Sequence, residues 1–390
     1  MKKTIGLIII AIFSSLAVSM AQTPLTSVPF ELYGDHVFVK IKVNNSRDLD
    51  FIFDTGDGLT VLNIETAKEL RMLSGSDAKT TSAEGEISGK LLKHQRIEIN
   101  NIELKDIQIY ETSLKHLEIS IGREIDGIIG YDMLENYVVS MNFDKMSFDL
   151  FDSNGYKYNG TGKTLPIKLT SYIPHIPANI VLSNGETIKG EFFIDTGAKA
   201  TIDFNTPYVN KHGLTDKIGE SYIYLVSGLG KKEYEHHQGK VKSLTFNGFE
   251  FDGVPVGLSH ANHGIQNHKK VTGIFGSGLL RKFNVTYNYP KHEMYWEKNQ
   301  SYNDPFQVNA SGLELQLNED MSKVMIHKVF ENSPAEDASI KVDSELSEVN
   351  GKAAIELGLP ELRRILSESG KSVKIKIDGK SIDLKLKALI

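Results

Sequence analysis

The chain of 390 residues contains no cysteine, which excludes disulfides, a thiol nucleophile, thiolate-bound zinc and a lipid-modified cysteine anchor. It has no surplus of positive charge: 44 Lys and Arg stand against 50 Asp and Glu, for a formal net charge of -6. That balance offers no electrostatic footprint for nucleic acid. Past the first 21 residues no apolar run is long enough to cross a bilayer, so no stable membrane span is expected once that segment is removed. No Gly-x-Ser-x-Gly elbow stands out, leaving a serine hydrolase unsupported. His236, His237, His260, His263 and His268 follow no strong ligand spacing, so neither a metal nor an organic cofactor is expected.

What the sequence does have begins at its N-terminus. Lys2 and Lys3 precede an apolar stretch over residues 5–18, and Ser19 and Ala21 flank Met20. A basic start, a short apolar segment and a small-x-small site read as a signal peptide over residues 1–21. The protein is therefore expected to be exported, to the periplasm or the exterior of a bacterium. Its length suggests two or three domains beyond that segment.

Two parts of the chain repeat one another. Phe51-Ile52-Phe53 runs into Asp54-Thr55-Gly56, and Phe192-Phe193-Ile194 runs into Asp195-Thr196-Gly197. Alternating pairs Ile97/Ile99, Ile102/Leu104 and Ile107/Ile109 recur as Leu244/Phe246, Phe249/Phe251 and Val254/Val256. Such period-two alternation predicts half-buried strands. Asn100-Asn101 and Asn247-Gly248 fall at the same place between them, where a tight hairpin needs residues that tolerate positive φ. Ile128-Ile129-Gly130 and Ile274-Phe275-Gly276 then correspond, and short helices are expected at 65–70 and 207–212. Two β-rich units result, at 22–155 and 156–300.

Each Asp-Thr-Gly string follows a continuous apolar run, the pattern of a strand buried on both faces. At such a strand end Gly permits the turn, and Thr supplies a hydroxyl for local hydrogen bonding. On these residues the chain resembles the pepsin and retropepsin superfamily of aspartic peptidases, in particular bacterial retropepsin-like proteins with a PDZ module. The resemblance includes the hydrophobic-hydrophobic-Gly element at Ile128-Ile129-Gly130 and Ile274-Phe275-Gly276. It implies a mainly β, bilobal, pseudo-twofold fold and peptide-bond hydrolysis by water held between Asp54 and Asp195. Thr55, Gly56, Thr196 and Gly197 would support the two loops, and an extended peptide or protein would be the substrate. Asp57 stands where the family usually carries Ser or Ala, whereas Ala198 follows the second motif as in retropepsins. An alternative motivated by Asp57 is a catalytically inactive peptide-binding envelope protein on the same fold.

Flaps are expected as Gly-bearing hairpins. The candidates are Glu84-Gly85-Glu86-Ile87-Ser88-Gly89, with Gly85, Ile87 and Gly89 as contacts, and Val226-Ser227-Gly228-Leu229-Gly230, with Gly228, Leu229 and Gly230.

From about residue 301 to 390 the texture changes to a small α+β unit. Strands are expected at 312–315 and 324–330, a capped helix at Ser333-Pro334-Ala335-Glu336, a turn at Asn350-Gly351, a helix at 360–367 and a final hairpin through Asp378-Gly379. This order resembles a PDZ domain, although Ser339 and Asp343 replace glycines usual in the linking segment. The resemblance implies that Gly312, Leu313, Glu314 and Leu315 form a peptide-binding edge able to take a C-terminal peptide.

Overall fold

The computed structural model describes residues 22–72, 75–82 and 85–390; the signal-peptide expectation at 1–21 and Glu84 of the first flap lie outside them. The protein is mainly β. No helix among the described residues is long and apolar enough to cross a membrane.

The sequence repeat reappears as a repeat of topology. In the first half the sheet order is His36–Val43, Leu49–Phe53, Gly127–Ile129, Thr60–Asn63, Ile102–Thr112, Gly85–Ile99 and Ser76–Ser82. In the second it is Ile173–Val181, Thr187–Ile194, Gly273–Phe275, Ile202–Phe204, Phe249–Ser259, Tyr234–Phe246 and Tyr222–Val226. Directions match as well: Leu49–Phe53 runs parallel to Gly127–Ile129, and Thr187–Ile194 runs parallel to Gly273–Phe275.

The halves are joined through their ends. Tyr137–Asn142 and Phe283–Asn288 pair antiparallel, with Met141 opposite Val285 and Val139 opposite Tyr287, so that a 13-stranded sheet takes in strands of both halves while the second half keeps its own eight-stranded sheet. Phe53 lies at the seam, with ring centroids 5.6 Å from Phe148 and 6.4 Å from Tyr287. Fully burying one such ring contributes about 1.5–3 kcal/mol. The opposite faces of the strands that lead to the two Asp-Thr-Gly loops carry smaller clusters, Ile52 with Ile128 in one half and Phe193 with Ile274 in the other. Burial on both faces explains why these strands read as unbroken apolar runs rather than alternations.

Local turn chemistry follows the sequence expectations. Asn100, Asn247 and Gly248 have φ of 53°, 46° and 72°, and each begins or completes a hairpin. Helices occupy Ile64–Glu69 and Thr206–His212.

Beyond residue 301 a separate apolar cluster gathers Leu313, Ile326, Val349, Leu362 and Ile375. Leu313–Leu317 pairs with Val324–Val329, and Ser372–Ile377 pairs with Lys380–Lys385. The helix expected at 360–367 differs in extent. Helical residues run from Ala354 to Ile365 and are broken at Gly358, whose φ of 73° and ψ of 158° interrupt the helix just before Pro360. Ser339 and Asp343 adopt φ of 56° and 64°, so the loop takes the left-handed geometry without glycine, at about 1–2 kcal/mol each.

This C-terminal unit sits against both halves. Tyr222 stacks on Phe330 at 4.6 Å, Lys240 Nζ donates to Ile390 O, and Arg363 Nη2 donates to Ser120 O at 2.6 Å.

Candidate active site

The two Asp-Thr-Gly loops meet at the seam between the halves. Their threonines interlock: Thr55 N–H donates to Thr196 Oγ1 at 3.0 Å, and Thr196 N–H donates to Thr55 Oγ1 at 3.1 Å. Each hydroxyl then crosses to the opposite strand end, Thr55 to Ile194 O at 2.7 Å and Thr196 to Phe53 O at 3.0 Å. Both threonines are buried, so these four bonds satisfy groups that would each cost about 1–3 kcal/mol if left unpaired. The loops are thereby locked at fixed separation and orientation.

That lock brings the carboxylates together. Gly56 N–H donates to Asp54 Oδ1 at 2.7 Å, while Gly197 and Ala198 N–H groups both donate to Asp195 Oδ1 at 2.9 Å. A β-carbon on Gly56 would stand 2.5 Å from Asp195 Cγ, and one on Gly197 would stand 2.1 Å from Asp54 Oδ2. Each glycine of the motif is therefore required by the carboxylate of the other half.

Gly130 and Gly276 lie beneath the loops. A β-carbon on Gly130 would fall 1.8 Å from Asp54 O, and one on Gly276 would fall 2.4 Å from Ala200 O. The hydrophobic-hydrophobic-Gly element thus passes directly under each acidic loop, and Ile129 O and Phe275 O accept the N–H groups of Asp54 and Asp195 at 2.9 and 3.0 Å.

Electrostatics follow from this crowding. Burial raises Asp54 well above the usual carboxylate range, and the Asp195 and Asp57 carboxylates push it further. Burial also raises Asp195, while its hydrogen bond with Asp54 acts in the opposite sense to the effect on Asp54. The two carboxyls act on one another, so their titration belongs to the pair and not to either residue alone. Asp57 is pushed up to about 7, chiefly by burial; its Oδ1 accepts Leu59 N–H at 3.2 Å, and its Oδ2 is enclosed without a partner.

Both carboxyls line a cavity of about 1130 Å³ between the halves. Its lining includes Lys79, Thr80, Thr81 and Ser82 from one hairpin and the 225–229 segment from the other. The hairpins reach across to the opposite half. Gly228 O meets His116 Nε2 at 2.7 Å, Leu229 packs against the cluster of Leu114 and Ile121, and a β-carbon on Gly85 would stand 3.1 Å from His263 Cβ.

The sequence-expected flap residues divide. Gly228 and Leu229 line the cavity, whereas Gly85, Ile87, Gly89 and Gly230 do not. Gly89 instead lets Glu111 O and the Tyr110 ring approach, and Ile87 O accepts the Tyr110 hydroxyl at 3.0 Å. Among the described residues of this hairpin, the cavity is lined by the edge strand Ser76–Ser82 and not by its partner Gly85–Ile99.

Of the C-terminal candidates, Leu313, Glu314 and Leu315 reach the same cavity and Gly312 does not. The Gly312 and Leu313 N–H groups are taken by Asn309 Oδ1 and Ser311 Oγ, Leu315 O accepts Arg363 Nη2 at 2.9 Å, and Glu314 accepts Leu225 N–H at 3.4 Å. Among the histidines singled out in the sequence, His236 is fully buried with Nε2 on Gln266 Oε1 at 2.9 Å and Nδ1 3.6 Å from Asp203. Sequence reasoning missed Lys199, His36 and Arg363, all on the cavity wall. Lys199 lay four residues past Asp195 and was open to notice; His36 and Arg363 carried no local signal.

Residues 39–133 match the family model described as aspartyl protease. That segment holds Asp54-Thr55-Gly56 and Ile128-Ile129-Gly130 and stops short of Asp195. The match supports an aspartic protease-like function, and with it a hydrolase. No curated protein matches the chain.

Proposed function

We propose that the chain is an exported aspartic endopeptidase in which Asp54 and Asp195 together activate one water for attack on a peptide bond. The reading rests on one observation: each motif glycine lies against the carboxylate of the opposite half, on the floor of a cavity large enough for several peptide residues. Two carboxyls so close share a proton. The ionised member takes a proton from water as its oxygen adds to the carbonyl carbon, and the protonated member donates to the carbonyl oxygen. Collapse breaks the C–N bond as the nitrogen is protonated and restores the shared proton. An extended peptide fits between the two hairpins, and export rests on the composition of residues 1–21. The PDZ-like unit is assigned to positioning substrate, because the edge at Leu313–Leu317 faces the cavity that holds the carboxyl pair.

The test is hydrolysis of a denatured, unstructured protein by the full chain, with and without a peptide mimic bearing a hydroxyl at the scissile position. Cleavage suppressed by the mimic is expected. Tight peptide binding with no cleavage at any pH would instead leave a non-catalytic binder.

Asp57 supplies a second, graded test. Its charge opposes ionisation of the pair, so Asp57→Asn is expected to move the alkaline limb of the pH–rate profile to lower pH. Stability should respond with a definite sign. A carboxyl whose folded value is raised from 3.8 to about 7 contributes stability below about pH 4 that is lost as pH rises to about 7. Urea midpoints of the wild type should therefore fall across that window, and those of Asp57→Asn should fall less. Identical pH profiles for the two proteins would remove Asp57 from the account.

A further inference from the structure

Where the second half meets the C-terminal unit, the cavity wall carries two basic side chains, Lys199 from the former and Arg363 from the latter. Lys199 is exposed there, and no carboxylate of the described residues stands within ion-pair distance of its ammonium. Arg363 lines the same cavity, and both of its hydrogen bonds, to Ser120 O and Leu315 O, leave from Nη2. Its Nε and Nη1 protons carry no bond to the described protein; with Nη2 fully engaged they remain as separate donors and not as a parallel pair.

The neighbouring acids are engaged elsewhere. Asp35 is paired with Arg281 at 2.8 Å, and Glu314 is buried against Leu225 N–H. His36, between these groups, has both ring nitrogens enclosed and is held neutral at about 4, first by burial, so it adds no charge. The Arg363 guanidinium first, and then desolvation inside the cavity into which its exposed side chain opens, press the Lys199 ammonium down to about 8, which leaves it cationic at neutral pH. Asp35 and Glu314 act on both cations through space, yet among the described residues neither cation has a carboxylate within ion-pair distance.

We propose that Lys199 and Arg363 form a subsite for a carboxylate of the bound peptide, so that the substrates are peptides carrying an acidic side chain or a free C-terminus at this end of the cleft. A carboxylate meets both groups at once, with Arg363 offering a charged N–H donor from Nη1 or Nε and Lys199 a point charge. The proposal deepens the peptidase reading and rests on it for the word substrate, but its chemistry is that of binding.

The experiment therefore reads binding, in the full-length chain and in its Asp195→Asn variant. Four pools of random octapeptides are compared: neutral with an amidated end, neutral with a free C-terminus, amidated with one Glu, and amidated with Gln in its place. Charged hydrogen bonds are worth enough for about tenfold tighter binding of the carboxylate pools. Preference for the free-terminus pool assigns the C-terminal carboxylate; preference for Glu over Gln assigns a side chain. Lys199→Gln should shrink the preference to about twofold or less, and Lys199→Arg should retain most of it. Lys199 is exposed and makes no bond that the fold needs, so these variants should fold. Equal retention of all four pools, retention of none, or a preference untouched by Lys199→Gln overturns the subsite. If carboxylate preference holds in a chain that never hydrolyses peptide, the peptidase reading falls and the subsite stands.

Discussion

Replacing Asp54 or Asp195 with asparagine is expected to lower the rate of peptide hydrolysis by about a hundred- to ten-thousandfold or more, with the fold intact. A positioned acid–base group is worth about that factor. Here either substitution removes base or acid from a pair in which neither works alone. Folding should not suffer in parallel. Burial and mutual repulsion make two ionised carboxyls unfavourable above their shared titration, so a neutral amide relieves a cost at neutral pH. The Thr55 and Thr196 cross-links remain, since none uses a carboxylate oxygen. The measurement is a rate on an unstructured protein beside a thermal melt. Wild-type turnover in either well-folded variant would end the two-carboxyl mechanism.

Gly130→Ala is expected to cost about 3 kcal/mol or more and to lose most activity with it. The added β-carbon would fall 1.8 Å from the backbone oxygen of Asp54 and 2.9 Å from that of Asp57. Neither neighbour is the end of a flexible side chain, so relief requires moving the acidic loop itself. Overpacking of well-packed interiors costs about 1–3 kcal/mol when side chains can yield; backbone against backbone yields less. Asp54 N–H also donates to Ile129 O, so any displacement of the loop loosens Asp54. Gly276→Ala, with its nearest contact at 2.4 Å, should behave alike but less severely. Chemical denaturation of the two variants checks the order. An unchanged midpoint for Gly130→Ala would mean that the close passage under the loop is not a constraint.

Much of the fold was legible in chain order because its determinants are local. Alternation at Ile97/Ile99 and Leu244/Phe246 marked strands, and Asn100 and Asn247 marked their turns by tolerating positive φ. The apolar runs before Asp54 and Asp195 reflected burial on both faces. The flap assignment went partly astray because glycine content speaks for turn geometry and says nothing about which arm of a hairpin faces a cavity. At the C-terminal unit, the helix expected from 360 follows the break at Gly358, and the expectation lacked the short helical segment from Ala354 that precedes it.

Duplication, strand periodicity and the two acidic motifs could be read from residues near one another in the chain, since turns, caps and alternating burial depend on immediate neighbours. The reach of Gly228 to His116, the fit of Gly56 against Asp195 and the reach of Arg363 to Ser120 O could not. Those contacts join residues far apart in sequence, and only the packing of two sheets and a third unit around one cavity sets which of them come within bonding distance.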